Sequence, residues 1–86
     1  MNDKALKDVR AERAKQDRKW GGPVHDDTHA PADWLEFIGF QTGTIEHYLG
    51  CDEEYAGGAD HRARLIKIAA LAVAAVESLD RKAARK

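Results

Sequence analysis

The stretch His61 to Ala83, HRARLIKIAALAVAAVESLDRKA, decides the fold. Leu65, Ile68, Ala72, Val76 and Leu79 recur at helical spacing, and Ile66, Ala69, Val73 and Ala75 widen the stripe. From Ile68 to Val76 nearly every side is apolar, which predicts a helix surrounded by neighbours. Its alanines let those neighbours come close. The run is nine residues long, well short of the roughly 20 that span a bilayer. Asp60 is the expected N-cap, and the basic residues after Glu77 complement the helix dipole.

Upstream, Pro31 to Leu49 reads as a second helix. Pro31 suits its first turn, Asp33 and Glu36 add acidic residues near the positive end, and Gly50 is the expected stop. Trp34, Ile38, Ile45 and Leu49 follow helical spacing, with Leu35, Phe37 and Tyr48 beside them. Gly39 and Gly43 interrupt it as a close-packing pair or a kink. About ten residues, Cys51 to Asp60, separate this helix from the third, which favours an antiparallel hairpin. A first helix spans about Asp3 to Lys19, capped by Asn2 or Asp3. It carries a thin stripe of Leu6, Val9 and Trp20, and Gly21-Gly22-Pro23 ends it. The expected fold is all-α: an N-terminal helix at 3–19 plus a hairpin of 31–49 and 61–83, in one small domain.

The chain has 86 residues, 14 basic against 15 acidic, and a formal net charge of −1. A domain this small buries only about 60% of its unfolded surface, so a core shared in a homo-oligomer is expected to help. The charge balance gives no electrostatic reason for a nucleic acid or a membrane as partner. The single cysteine, Cys51, cannot form an internal disulfide, and no motif ties it to a catalytic histidine. The charged N-terminus has no apolar leader, so a cytoplasmic protein is expected.

Antiparallel pairing brings the start of the second helix level with the end of the third. Asp33 and Glu36 then face Glu77 and Asp80, each pair spaced to share one helix face. Four carboxylates around one gap, with Asp27 assisting, suit Mg²⁺ or Mn²⁺, with Glu36 and Glu77 as the catalytic pair. Arg13, Lys19, Trp20, His25 and His29 gather at the same pole as candidate substrate contacts, the cations for phosphate and Trp20 and Trp34 for stacking. A plainer reading stands beside this one. Asp33 and Glu36 are ordinary first-turn acids, Glu77 pairs with Arg81, Asp26 to Thr28 are turn residues, and the tryptophans are core anchors. A zinc site on His25 and His29 with Asp26 or Asp27 is a further alternative, although H-x-x-x-H here falls in a predicted loop.

ERAKQDRKWGGPVHDDTH at 12–29, DWLEFI at 33–38 and RLIKIAALAVAAVESLDRK at 64–82 resemble small phage and prophage proteins of unassigned function. WGGPVHDDTH is the most specific part, and the resemblance implies a host-cytoplasm setting. The acid spacing on two helices also resembles the MazG-like all-α nucleotide pyrophosphohydrolases. That resemblance implies Mg²⁺, a nucleoside triphosphate and release of pyrophosphate. Glu77 and Asp80 match the family's E-x-x-D, and Asp33 and Glu36 give D-x-x-E where E-x-x-E is expected. The family's adjacent glutamates are absent there; Glu53-Glu54 lies at the other pole. The alternative function is an accessory protein that binds a host protein through Phe40, Tyr48 and Tyr55. A helical oligomer without ligand is the third.

Overall fold

The computed structural model describes residues 3–85. Four helices follow one another: α1 Asp3–Trp20, α2 Gly22–Asp26, α3 Pro31–Cys51 and α4 Ala59–Ala84. The class is all-α as expected, with one helix more than the three predicted. The addition is α2, five residues inside the segment read as a loop. Gly21 and Gly22 take φ of 101° and 69°, a left-handed pair that side-chain-bearing residues rarely adopt. They turn the chain out of α1, and Pro23 sits in the first turn of α2. Asn2, one of the two expected caps of α1, lies outside the described residues.

Helix α3 runs unbroken through Gly39 and Gly43 and continues past Gly50. The stop is Asp52, which leaves the helix in extended backbone. Its N–H bonds Tyr48 O at 2.9 Å and its carboxylate accepts the Glu54 N–H at 3.0 Å. The expected Asp60 cap is also displaced. Gly58 occupies the N-cap position of α4, and Asp60 lies in the first turn, where it accepts the Tyr55 hydroxyl at 2.7 Å and Arg64 Nε at 2.9 Å. Tyr55, expected as an exposed aromatic, is therefore buried.

Helix α4 is the central strut. Helices α1, α2 and α3 all pack on it, while the backbones of α1 and α3 do not approach each other. Asp8 of α1 reaches Arg62 at 2.8 Å, and Gln41 of α3 accepts Arg64 Nη1 at 3.0 Å. The core comprises Trp34, Ile45, Tyr55, Ala70 and Ala74, with Ser78 and Asp26 buried beside them.

The rotation of α4 differs from the sequence expectation. Ala70, Ala74 and Ser78 are its buried residues. Leu65, Val76 and Leu79, expected inside, are exposed. Ser78 and Arg81 both bond Asp27 beside α2, on the side of α4 that faces inward. Leu65, Val76 and Leu79 lie about half a turn away and face out, while Ile66, Ile68 and Leu71 are half-buried on the flanks of the helix. No helix among the described residues is long and apolar enough to cross a membrane.

Candidate functional site

Adjacent acids at the end of α2 organise the pole where α2, α1 and the end of α4 meet. The Asp27 carboxylate accepts Ser78 Oγ at 2.9 Å, Arg81 through Nε and Nη2 at 3.1 and 2.8 Å, and Arg85 Nη2 at 2.9 Å. Arg81 donates along one edge of its guanidinium, Nη2 and Nε both to Oδ1 with Nε also 3.2 Å from Oδ2, a charge-assisted contact. Arg81 foremost, with Ser78 and Arg85, holds the Asp27 pKa well below the usual carboxylate range. Lys82 closes the pole by donating to His29 O at 3.0 Å.

Asp26 has the opposite environment. It is buried, its Oδ2 has no hydrogen-bond partner, and Arg13 Nη2 stands 3.7 Å away. Burial raises its pKa, opposed by the charge of Arg13. Arg13 itself bonds Glu77 Oε1 at 3.0 Å and Asp17 Oδ1 at 3.3 Å.

The predicted four-acid gap is not assembled as expected. Glu77 turns toward α1 and Arg13 rather than toward Arg81. Asp33 accepts the Ala30 N–H at 2.8 Å, half of a capping box, with His29 Nδ1 at 3.8 Å. Asp27 is engaged by two arginines. Glu36 and Asp80 are exposed. Among the described residues no three His, Cys, Asp or Glu side chains gather where they could hold an ion.

The predicted substrate residues do come together, around a different space. A cleft of about 710 Å³ lies between α1 and α3, floored by Lys67, Leu71 and Ala74 of α4. Lys19, Trp20, His25, His29 and Glu36 line it, with Asp26 among them; Arg13 is not on its wall. Aromatic rings run along one side. Trp20 stacks on His25 at 6.1 Å, His25 meets His29 at 4.9 Å, and His29 meets Trp34 and Phe37 edge-on at 5.2 and 5.0 Å. Trp34 is the buried anchor expected of it. Trp20 is 55% exposed, with Lys19 Nζ 4.9 Å from its ring centroid. Lys15, Lys19 and Lys67 bring three positive charges, and Glu12, Asp26 and Glu36 three acids. The volume falls within the range of small-molecule sites.

Sequence reasoning missed Ser78, Arg81 and Arg85 as the partners of Asp27, and Phe37 and Lys67 in the cleft. Ser78 carried a usable signal, since it continues the four-residue spacing of Ala70 and Ala74. Cys51 is exposed, with its sulfur 3.9 Å from His47 Nε2. Compared with protein families, curated proteins and solved structures, the chain matches none.

Proposed function

We propose that this chain binds a nucleotide in the cleft between α1 and α3 and does not hydrolyse it. The observation that carries this reading is the joint lining of the cleft by a ladder of aromatic rings, three lysines and the buried acid Asp26. A base has a flat π-face for Trp20 or Phe37 and amino hydrogens for a carboxylate. Phosphates suit Lys15, Lys19 and Lys67. The three acids disfavour a bare anion and favour a ligand that also donates hydrogen bonds. The resemblance to phage proteins adds a host-cytoplasm setting. The MazG-like resemblance supports the ligand class, while the dispersed carboxylates support binding without turnover.

The test is tryptophan fluorescence titrated with a panel of ribo- and deoxynucleoside triphosphates, with and without Mg²⁺. Saturable quenching by one base is expected, weakened several-fold by Lys19→Ala and Lys67→Ala. No saturation by any nucleotide up to about 1 mM, a weak-binding limit, overturns the reading. Pyrophosphate release in the same mixtures would overturn its non-hydrolytic half.

A second reading, docking on a host protein, is favoured by Phe40, which is 69% exposed, and by the exposed Tyr48. Phe40→Ala abolishing capture of a specific host protein, with nucleotide titrations flat, would establish it in place of the first.

A further inference from the structure

Among the described residues, nothing covers the side of α4 turned away from the cleft. Leu65, Ala69, Ala72, Val76, Leu79 and Ala83 fall on it at alternating steps of four and three residues, the spacing of a two-helix seam. Leu65 is 49% exposed and Val76 and Leu79 are each 56% exposed. Ala72 and Ala83 are exposed as well. No Asp, Glu, Lys or Arg falls on this stripe between Leu65 and Leu79, while Lys67, Glu77 and Arg64 point elsewhere: into the cleft, to Arg13 and to Gln41. Helix α3 extends the surface. Its residues Glu36, Phe37, Phe40 and Gln41 line the cleft, so Leu35, Thr42 and Leu49, at seven-residue steps, fall on the other flank. Leu35 is 72% and Leu49 47% exposed.

We propose that this face is a dimer interface, in which α4 of one copy packs antiparallel against α4 of a second copy. The stripe is complementary to itself in that direction. Leu65 then meets Ala83 of the other copy, Leu79 meets Ala69, and Val76 meets Ala72. Each large side chain faces a small one, which permits interdigitation without voids or overlap. A parallel in-register pair would set Leu on Leu and Ala on Ala, leaving gaps at every alanine.

The area is adequate. A face two helices wide and about 27 Å long offers on the order of 500 Å² per copy, so pairing buries on the order of 1,000 Å², where specific interfaces begin. The absence of charge between Leu65 and Leu79 suits an apolar partner surface, exposed Asp80 bordering the stripe only near its end, and the net charge of −1 leaves little repulsion between copies. Among the described residues the buried apolar side chains of one copy are two alanines and three large ones, so the second copy supplies the core that one lacks.

Sedimentation at micromolar concentration is expected to give twice the chain mass. Val76→Glu should weaken pairing roughly a hundredfold or more by forcing a charge into the seam, with the helical circular-dichroism signal retained. In a Cys51→Ser background, Ala72→Cys and Val76→Cys chains mixed together should cross-link faster than either alone. A monomeric parent chain overturns the proposal, and so does a Val76→Glu chain that still pairs at the parent's affinity. Faster cross-linking of each single variant with itself overturns the antiparallel arrangement.

Discussion

The two ends of the α3–α4 hairpin are built from the same three chemical groups. At one end Asp27 holds Arg81 and the Ser78 hydroxyl; at the other Asp60 holds Arg64 and the Tyr55 hydroxyl. The difference is distance along the chain. Asp27 meets partners 51 to 58 residues away, so its bonds tie the α2 segment to the end of α4. Asp60 meets partners four and five residues away, so its bonds shape one turn and the loop before it. Long-range ties form only when the whole fold is present; local ones survive partial unfolding. The Asp27 end is therefore the lock of the tertiary structure, and the Asp60 end is a brace.

Removing the lock should have the largest effect. Asp27→Ala strands Arg81 and Ser78 and frees α2, and it should lower the thermal midpoint by on the order of 10 °C at pH 7. The loss should diminish in acid. The folded pKa of Asp27 lies below its unfolded value near 3.9, so its contribution is complete above that value and fades as pH falls through the folded pKa. Melting curves of parent and variant from pH 7 downward check both points. Equal melting at pH 7 would break the distinction between lock and brace.

The same contrast explains what could be read beforehand. Asp60 and Arg64 are four apart on one helix face, a pairing that spacing allows, although the sequence reads Asp60 first as the N-cap. The hairpin, the α1 helix and the start of α3 at Pro31 were legible for the same reason, since spacing and turn residues act locally. The partners of Asp27 were not, because nothing at Asp27 points to residue 78 or 81 until α4 has a defined rotation. Both faces of α4 have helical periodicity, one of Leu and Val, the other of Ala70, Ala74 and Ser78. The larger side chains were assigned inward, whereas the short ones fit beneath flanking helices. The candidate site divides in the same way. His25, His29, Trp20 and Lys19 were read as one pole and do share the cleft. The four-acid gap needed side-chain directions, and Arg13 and the Ala30 N–H engaged two of its members instead.

At the brace, Tyr55→Phe should have a smaller effect, a few degrees in thermal midpoint. The ring stays buried against Tyr48 and His61, and only the bond to Asp60 is lost. The parent tyrosine should ionise above the usual phenol range, since burial and the neighbouring Asp60 carboxylate both resist a second negative charge. Ultraviolet titration should show a high-pH step that is absent in the variant. A midpoint loss equal to that of Asp27→Ala would show that the two ends are alike and that local bonds carry the fold as much as long-range ones.

The smallest effect, and the one with reversed sign, belongs to Asp26 beside the lock. Its folded pKa lies above the unfolded value because burial disfavours the charged form. The favourable balance for such a group exists below the unfolded pKa and is lost as pH rises through the folded one. Above the folded pKa the ionised carboxylate is therefore a net cost, only partly offset by Arg13 at 3.7 Å. Asp26→Asn keeps the shape, removes the charge and leaves Arg13 its bonds to Asp17 and Glu77. It should raise stability at pH 7 by about 1 kcal/mol or less and have no effect near pH 3, where the parent is already protonated. The same substitution should weaken nucleotide binding, because it removes the negative charge that favours the amino hydrogens of a base at this wall of the cleft. A variant that is more stable and binds less well is the signature of a residue kept for its ligand. A variant that loses stability at pH 7 would instead make Asp26 a second lock, coupled to Asp27 through the short α2 helix.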